Sequence, residues 1–424
     1  MSADPLILPA LLRRNTEENS AKAAIVTDEG SISHAELDRE SFTLARQLVG
    51  AGIGKSSRVG LLMENGLEWA VVAVAVMRTG AVLVPLSTVL EPPELHAQLR
   101  IATVTELVVT RQFRGRSYLS DLEAVAPGIM EVTSDCRRHP ELPNLRRVWA
   151  ADVLPSDRVD HAVVSALEDR VRPSDNLVVL FTSGSRGAPE GTIHTHGGAI
   201  RATAAGLAAR RVGTQERLSI PMPFFRTDGF SSGLMTALVA GAAVVTTAIA
   251  ETELTTLGPG SLPAVLPAVG RPAPGARANH FGMTETFGPY CGERLDTDLP
   301  PDEHGSCGRP FEGVEVRILD PESGEECPPG VDGEIAVRGP NLMRGICGKT
   351  RAETFDVDGF YRTGDLGMLD ADGYLWYRGR MEDVPRTATV EVAKTALQDL
   401  IGKGGARNGA GPTTGGTVQK GTRR

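Results

Sequence analysis

The stretch FTSGSRGAPEGTIHTH, Phe181 to His196, begins at the end of the apolar run LVVLF and crowds glycines and small hydroxyl residues into few positions. A strand that runs into such a loop presents several backbone N–H groups and hydroxyls to one point, and glycine allows the dihedrals this needs. That is the make-up of an anion-binding nest, with phosphate as the anion it suits. It is not the GxxxxGK[ST] pattern of the P-loop NTPases. Its acidic residue, Glu190, stands where a phosphate loop would be expected to carry a lysine. The bland alternative is a surface turn.

Around this loop lies a chain of 424 residues, 41% hydrophobic, with a formal net charge of -9. That length calls for two or more subdomains, and an acidic balance gives no reason to expect nucleic acid as a partner. The cysteines (Cys136, Cys291, Cys307, Cys327, Cys347) are scattered without a CxxC pair, which reads as reduced thiols in a cytoplasmic protein. The start, MSADPLILPALLRRNTEENS, lacks the pattern of a secretory signal. Two apolar stretches, WAVVAVAVMRTGAVLVPL and GFSSGLMTALVAGAAVVTT, are interrupted by Arg78 or by glycines. A spanning helix needs about 20 unbroken apolar residues, so each reads as a buried helix followed by a buried strand, with no integral membrane association.

Upstream of the loop, strands and helices alternate. AAIVTD, SRVGLLM, AVLVPL and ELVVT read as strands. HAELDRESFTLARQLVGAG, EWAVVAVAVMRTG and PELHAQLRIA read as helices, which predicts parallel sheets with helices on their faces. Downstream, VEVRIL, GEIAVRG and GYLWYRG are short alternating strands separated by VDG, DVDG and DADG, the signature of antiparallel hairpins. The expected fold is therefore α/β. A large N-terminal domain of mixed, mostly parallel sheets flanked by helices precedes a small antiparallel β-rich subdomain. The expected divisions are 1–248 (α/β with the phosphate loop), 249–310 (a shortened segment carrying FGMTE), 311–380 (β-rich), 381–401 (hinge and lid remnant) and 402–424, a Gly/Thr-rich basic tail expected to be disordered.

Two further motifs carry chemistry. In HFGMTETFG, Thr284 and Glu285 set a hydroxyl beside a carboxylate, a pair suited to Mg²⁺. In GFYRTGDLG, Asp365 sits in a glycine-flanked turn and can accept hydrogen bonds from both hydroxyls of a ribose. Taken singly, a helix cap and a hairpin turn explain them as well. His194 and His196 alternate along what reads as a strand, a weak case for zinc.

The order TSGSRGAPEG, FGMTE, YRTGDLG, GRMED closely resembles that of the adenylate-forming (AMP-binding) superfamily, the acyl-CoA synthetases and other acid–thiol ligases. The resemblance runs from about Ala23 to Asp383 and includes GLLMENGLEWAVVAVAVMRTGAVLVPL and GSCGRPFEGVEVRILD. It implies that ATP activates a carboxylic acid, fatty or otherwise hydrophobic, to an acyl-adenylate, and that the acyl group passes to coenzyme A. It implies that Thr182, Ser183, Gly184, Ser185, Arg186 and Gly187 hold the phosphates. Phe281 and Gly282 would lie by the adenine, Thr284 would contact the α-phosphate and Glu285 would hold Mg²⁺. Asp365 with Arg380 would bind the ribose of ATP or AMP, and Asp383 would be the hinge of a lid. Charge built up on the α-phosphate is what fixed N–H groups and a metal stabilise, and the substrate carboxylate is itself the nucleophile.

Four departures qualify that reading. Glu190 replaces the lysine of the resemblance; a unit pair 4 Å apart is worth roughly 4 kcal/mol at an effective dielectric of about 20, so reversal weakens ATP binding unless Arg186 offsets it. Arg226 stands where histidine is frequent, at the edge of the expected acyl pocket. The segment 249–280 is short and Pro/Gly-rich and reads as loop, so an interior strand of a sheet is expected to be lost. After the hinge only EVAKTALQDLIG resembles a lid, and neither Lys394 nor Lys403 matches the motif of the lid lysine, so a C-terminally truncated chain is expected. The alternative function is a catalytically inactive nucleotide-binding pseudoenzyme, or the remnant of a disrupted ligase gene.

Overall fold

A buried arginine shows why the most apolar helix is no membrane span. The helix Leu67–Arg78 is buried along almost its whole length. At its end the Arg78 guanidinium donates to Glu168 (2.6 Å), to the Ser41 hydroxyl (2.8 Å) and to Asp38 (2.9 Å). Three acceptors on two other helices compensate the desolvated charge, and Gly80, at φ +78°, ends the element. Among the described residues no helix is long and apolar enough to cross a membrane.

The computed structural model describes residues 6–134, 137–155, 157–182, 189–219, 222–246, 265–266, 280–293 and 305–383. The loop residues Ser183, Gly184, Ser185, Arg186 and Gly187, most of the shortened segment, the lid remnant and the tail lie outside them.

A seven-stranded sheet forms the centre. Val82–Pro85, Arg58–Leu62, Glu106–Val109 and Arg147–Ala150 run parallel, and Asn176–Thr182 joins Val82–Pro85 in parallel on the other side. Two antiparallel strands, Glu190–Thr195 and Gly345–Ile346, complete that edge. Alternation along the strands sorts the side chains into two cores. Leu61, Leu83, Val108, Val178 and Leu180 face one apolar cluster; Leu62, Val82, Val84, Leu107, Val109 and Val179 face the other. A sheet buried on both faces reads as continuous apolar runs, which is why LVVLF and AVLVPL carry no polar residue.

The helices begin where local chemistry dictates. Ser33 accepts from the Glu36 N–H (3.2 Å) while Glu36 accepts from the Ser33 N–H (2.9 Å), a capping box that opens His34–Gly50. Thr195 caps His196–Arg210 in the same manner through the Gly198 N–H (3.1 Å). His196 is thus the first residue of a helix and not the next strand position after His194, because the Thr195 cap turns the chain.

A second sheet of five strands contains Arg217–Ser219, Ala243–Val245 and Ala23–Thr27 in parallel. The segment expected to be loop contributes a two-residue strand, Val265–Leu266, antiparallel to Arg217–Ser219. Proline flanks it at 263 and 267, and it lies at the edge of that sheet, where such flanks are tolerated. The β-rich part is the antiparallel sheet Glu315–Leu319, Gly333–Arg338, Tyr361–Leu369 and Leu375–Arg380. Beside it, His280–Met283 pairs antiparallel with Gly288–Gly292. Architecture and fold class agree with the sequence reading.

Candidate active site

The described ends of the phosphate loop belong to a hairpin. Asn176–Thr182 and Glu190–Thr195 pair antiparallel, with Thr182 opposite Glu190. The loop residues 183–188 therefore join two strands of the central sheet. Gly345–Ile346 pairs with the outer strand, and the Cys347 N–H donates to the Gly191 carbonyl (2.8 Å), so the chain beyond Ile346 is held beside the root of the loop. There the Lys349 ammonium donates to Glu190 at 2.6 Å. The charge reversal at Glu190 thus comes with a lysine 159 residues further on. The sequence offered no signal for this, since it depends on strand register alone.

The FGMTE motif forms the tight turn of a second hairpin. Phe281 and Gly282 lie on its first strand, and Thr284–Thr286 is a 3-10 turn packed against Asn176–Thr182. A Cβ at Gly282 would collide with the Gly288 carbonyl, so this position requires glycine. Phe287 follows at φ 58°, a left-handed conformation costing a non-glycine residue of order 1–3 kcal/mol. Packing holds it: the ring is buried, 4.9 Å from that of His194 and 6.0 Å from Phe230.

Three bonds fix the turn. His194 Nε2 lies 2.8 Å from the Thr284 carbonyl, the Met343 N–H donates to the Glu285 carbonyl (2.8 Å), and the Thr284 and Thr227 hydroxyls are 2.7 Å apart. The Thr284 and Glu285 side chains are thereby presented from a rigid turn. His194 is fully buried, and burial pushes its pKa down to about 4, so the imidazole is neutral and donates. Sequence reasoning had weighed His194 only as a metal ligand. Among the described residues no group of His, Cys, Asp and Glu is arranged to hold a metal by itself.

Glu285 is 7% exposed. Burial raises its pKa; the Arg380 charge opposes this, and those of Glu190 and Asp365 add to it. These long-range couplings put Glu285, Asp365, Arg380 and Glu190 in one electrostatic neighbourhood. Asp365 is not in a turn. It lies within the strand Tyr361–Leu369, opposite Arg380, whose Nη1 is 3.1 Å from its Oδ1. The preceding Gly364 takes φ +72°, which bends the strand there. Asp365 is 3% exposed, and burial lifts its carboxyl to about 6 against the pull of Arg380. Tyr361, on the same strand, is half-buried; burial raises its pKa, and the charges of Glu285 and Glu190 raise it further.

The Phe281 ring lies 4.9 Å from that of Tyr377 and 5.7 Å from that of Tyr290. Tyr377, 40% exposed, gives the site an aromatic edge that no motif had signalled. Arg226 is exposed, whereas its neighbours Phe224 and Phe230 are buried against Trp69 at ring separations of 5.1 and 6.4 Å. Asp383 ends the short turn Met381–Asp383 that follows Arg380, at the last described residue.

The structure therefore brings Thr284, Glu285, Asp365, Arg380 and Phe281 together beside the hairpin that carries the glycine-rich loop. A hydroxyl, two buried carboxylates and a guanidinium thus lie beside the described ends of that loop. The chain belongs to the family of AMP-binding enzymes, whose profile matches residues 12–262 and 263–347. Among its relatives is the indoleacetate–CoA ligase of Aromatoleum aromaticum, 26% identical over 423 residues that cover 90% of this chain and 80% of that one. Another is the feruloyl-CoA synthase of an Amycolatopsis species, 28% identical over 84% of this chain and 74% of the relative. Both are named for joining an acid to coenzyme A. The solved structure of O-succinylbenzoate coenzyme A synthetase from Bacillus subtilis, in complex with ATP and magnesium ion, shares the fold. Its TM-score is 0.68 at 21% identity, over 89% of this chain and 81% of that one.

Proposed function

We propose that this protein activates a hydrophobic carboxylic acid with ATP, forming an acyl-adenylate and pyrophosphate, and passes the acyl group to coenzyme A. The observation that carries the reading is the convergence of Glu285, Asp365 and Arg380, from three separate motifs, on the hairpin of the glycine-rich loop. Asp365 would accept from the ribose hydroxyls with Arg380 holding its orientation. Phe281 and Tyr377 would cover the adenine, and the Thr284 hydroxyl, steadied by Thr227, would donate to the α-phosphate. Thr182, Ser183, Gly184, Ser185, Arg186 and Gly187 would hold the phosphates beyond it. The hydrophobic class of the acid follows from the likeness to the AMP-binding ligases, and the exposed cation Arg226 is the feature that would oppose it.

The donor set fits Mg²⁺. Glu285 is a buried carboxylate among other carboxylates, a place that favours a divalent cation and supplies few protein ligands, as Mg²⁺ prefers. When bound with ATP, the ion would offset charge on the phosphate oxygens. The residues themselves orient the phosphate, so that the acid carboxylate can approach in line.

ATP–pyrophosphate exchange measured across a panel of hydrophobic acids tests this. Acid-dependent exchange that Glu285→Gln lowers by about 100-fold or more is expected, the scale of losing one preorganised electrostatic contact in an active site. Glu190 favours a second reading, nucleotide binding without turnover; AMP binding with no exchange for any acid would establish that one instead.

A further inference from the structure

We infer that Lys349 also meets the polyphosphate of ATP, and that Glu190 is its holder, so that this site draws a cation from the segment just beyond the strand Gly345–Ile346 in addition to the loop. This rests on the nucleotide reading above. The charge balance motivates it. The described carboxylates of the site are Glu190, Glu285 and Asp365, and Arg380 is already engaged with Asp365. A triphosphate brought to the root of the loop meets net negative charge unless a further cation is at hand. Lys349 is there, and its backbone is anchored: its N–H donates to the Ile346 carbonyl (3.1 Å), two positions beyond the Cys347–Gly191 bond.

The geometry suits release and capture. An ammonium has three N–H donors, and the bond to Glu190 uses one. The side chains of Lys349 and Glu190 are 40% and 31% exposed, so solvent screens the pair and little free energy holds it closed. A polyphosphate, with more charge than one carboxylate, can draw the ammonium away while Glu190 keeps its stem near the loop. Lysine serves here as a mobile point charge, a role arginine's rigid fork fits less well.

The test is calorimetric binding of ATP and of AMP, each with Mg²⁺, to the full chain and to Lys349→Gln, Lys349→Arg and Glu190→Gln. Lys349→Gln is expected to weaken ATP by about tenfold or more, equivalent to about 1.4 kcal/mol, and to leave AMP within about twofold. Lys349→Arg is expected to recover part of the loss, and Glu190→Gln, by freeing the ammonium, to tighten ATP. Unchanged ATP affinity in Lys349→Gln overturns the inference, as does an equal loss of ATP and AMP, which would mark Lys349 as a clamp on the strand. Weaker ATP binding in Glu190→Gln likewise overturns it. Should Lys349→Gln fail to fold, the sign of the Glu190→Gln effect decides. A wild-type chain that binds neither nucleotide overturns the parent reading and this one with it.

Discussion

His194 Nε2 and the Thr284 carbonyl, 90 residues apart in the chain, are joined by a 2.8 Å hydrogen bond that ties the hairpin of the glycine-rich loop to the FGMTE turn. The bond needs a proton on Nε2, and full burial of the ring keeps the imidazole neutral although the bond itself would favour the charged form. The hairpin of the glycine-rich loop and the FGMTE turn are thus held against each other by a buried imidazole.

Acid should loosen this joint. His34, His194 and His196 are all buried, and burial lowers each pKa from 6.5 to about 4. Between those values the unfolded chain takes up protons that the folded chain refuses. Their contribution is therefore complete above about pH 6.5 and is lost as pH falls toward 4. A shift of that size corresponds to roughly 3 kcal/mol for each histidine. Urea midpoints should drop steeply over this window. His194→Gln, which keeps a donor but does not titrate, should show a shallower drop. An equal slope in both proteins would contradict the role given to His194.

Ribose binding should titrate with Asp365. Its carboxyl sits at about 6 because burial outweighs Arg380, and only the ionised form accepts from both ribose hydroxyls. Adenosine, which has no phosphate to titrate, should bind more tightly as pH rises through about 6 and then level off. Asp365→Asn should bind weakly and without pH dependence. Flat adenosine affinity between about pH 5 and pH 8 in the wild type would remove Asp365 from the ribose site.

Glu106 should be a stability defect of the central sheet. It is 4% exposed, its Oε2 has no hydrogen-bond partner, and burial raises its pKa to about 7 despite Arg147 and Arg146. Its raised value means that stability is highest where the group is protonated in both states, below about 4.5, and declines as pH rises toward 7. Glu106→Gln should raise Tm at about pH 8, by an amount equivalent to as much as roughly 3 kcal/mol, with the gap closing toward about pH 5. A lower Tm for the variant at both pH values would mean that the carboxylate has a use that the apolar surroundings hide.

Part of the local geometry is legible in the sequence because the motifs are local. Gly282 ends a strand just before the turn that carries Thr284 and Glu285, and the steric demand on it comes from Gly288, six residues away. Asp365 reads from the sequence as a turn residue, since TGD between two apolar runs looks like a hairpin end. The Gly364 bend lies inside a strand that continues to Leu369. The short Pro/Gly-rich segment read as loop because two strand residues are too few for any periodic signal; pairing with Arg217–Ser219 makes Val265–Leu266 a strand.

The sequence by itself determined the alternation of apolar runs that buries both faces of the central sheet, the caps that open its helices and the order of the nucleotide motifs. These follow from interactions within a few residues, where composition and spacing are the physics. Only the tertiary structure decided that Glu190 faces Lys349, that His194 holds Thr284 and that Tyr377 lies beside Phe281. Those pairings arise from which strands are neighbours and in what register, and strand order is set by burial of the whole sheet, which no short stretch of the chain encodes.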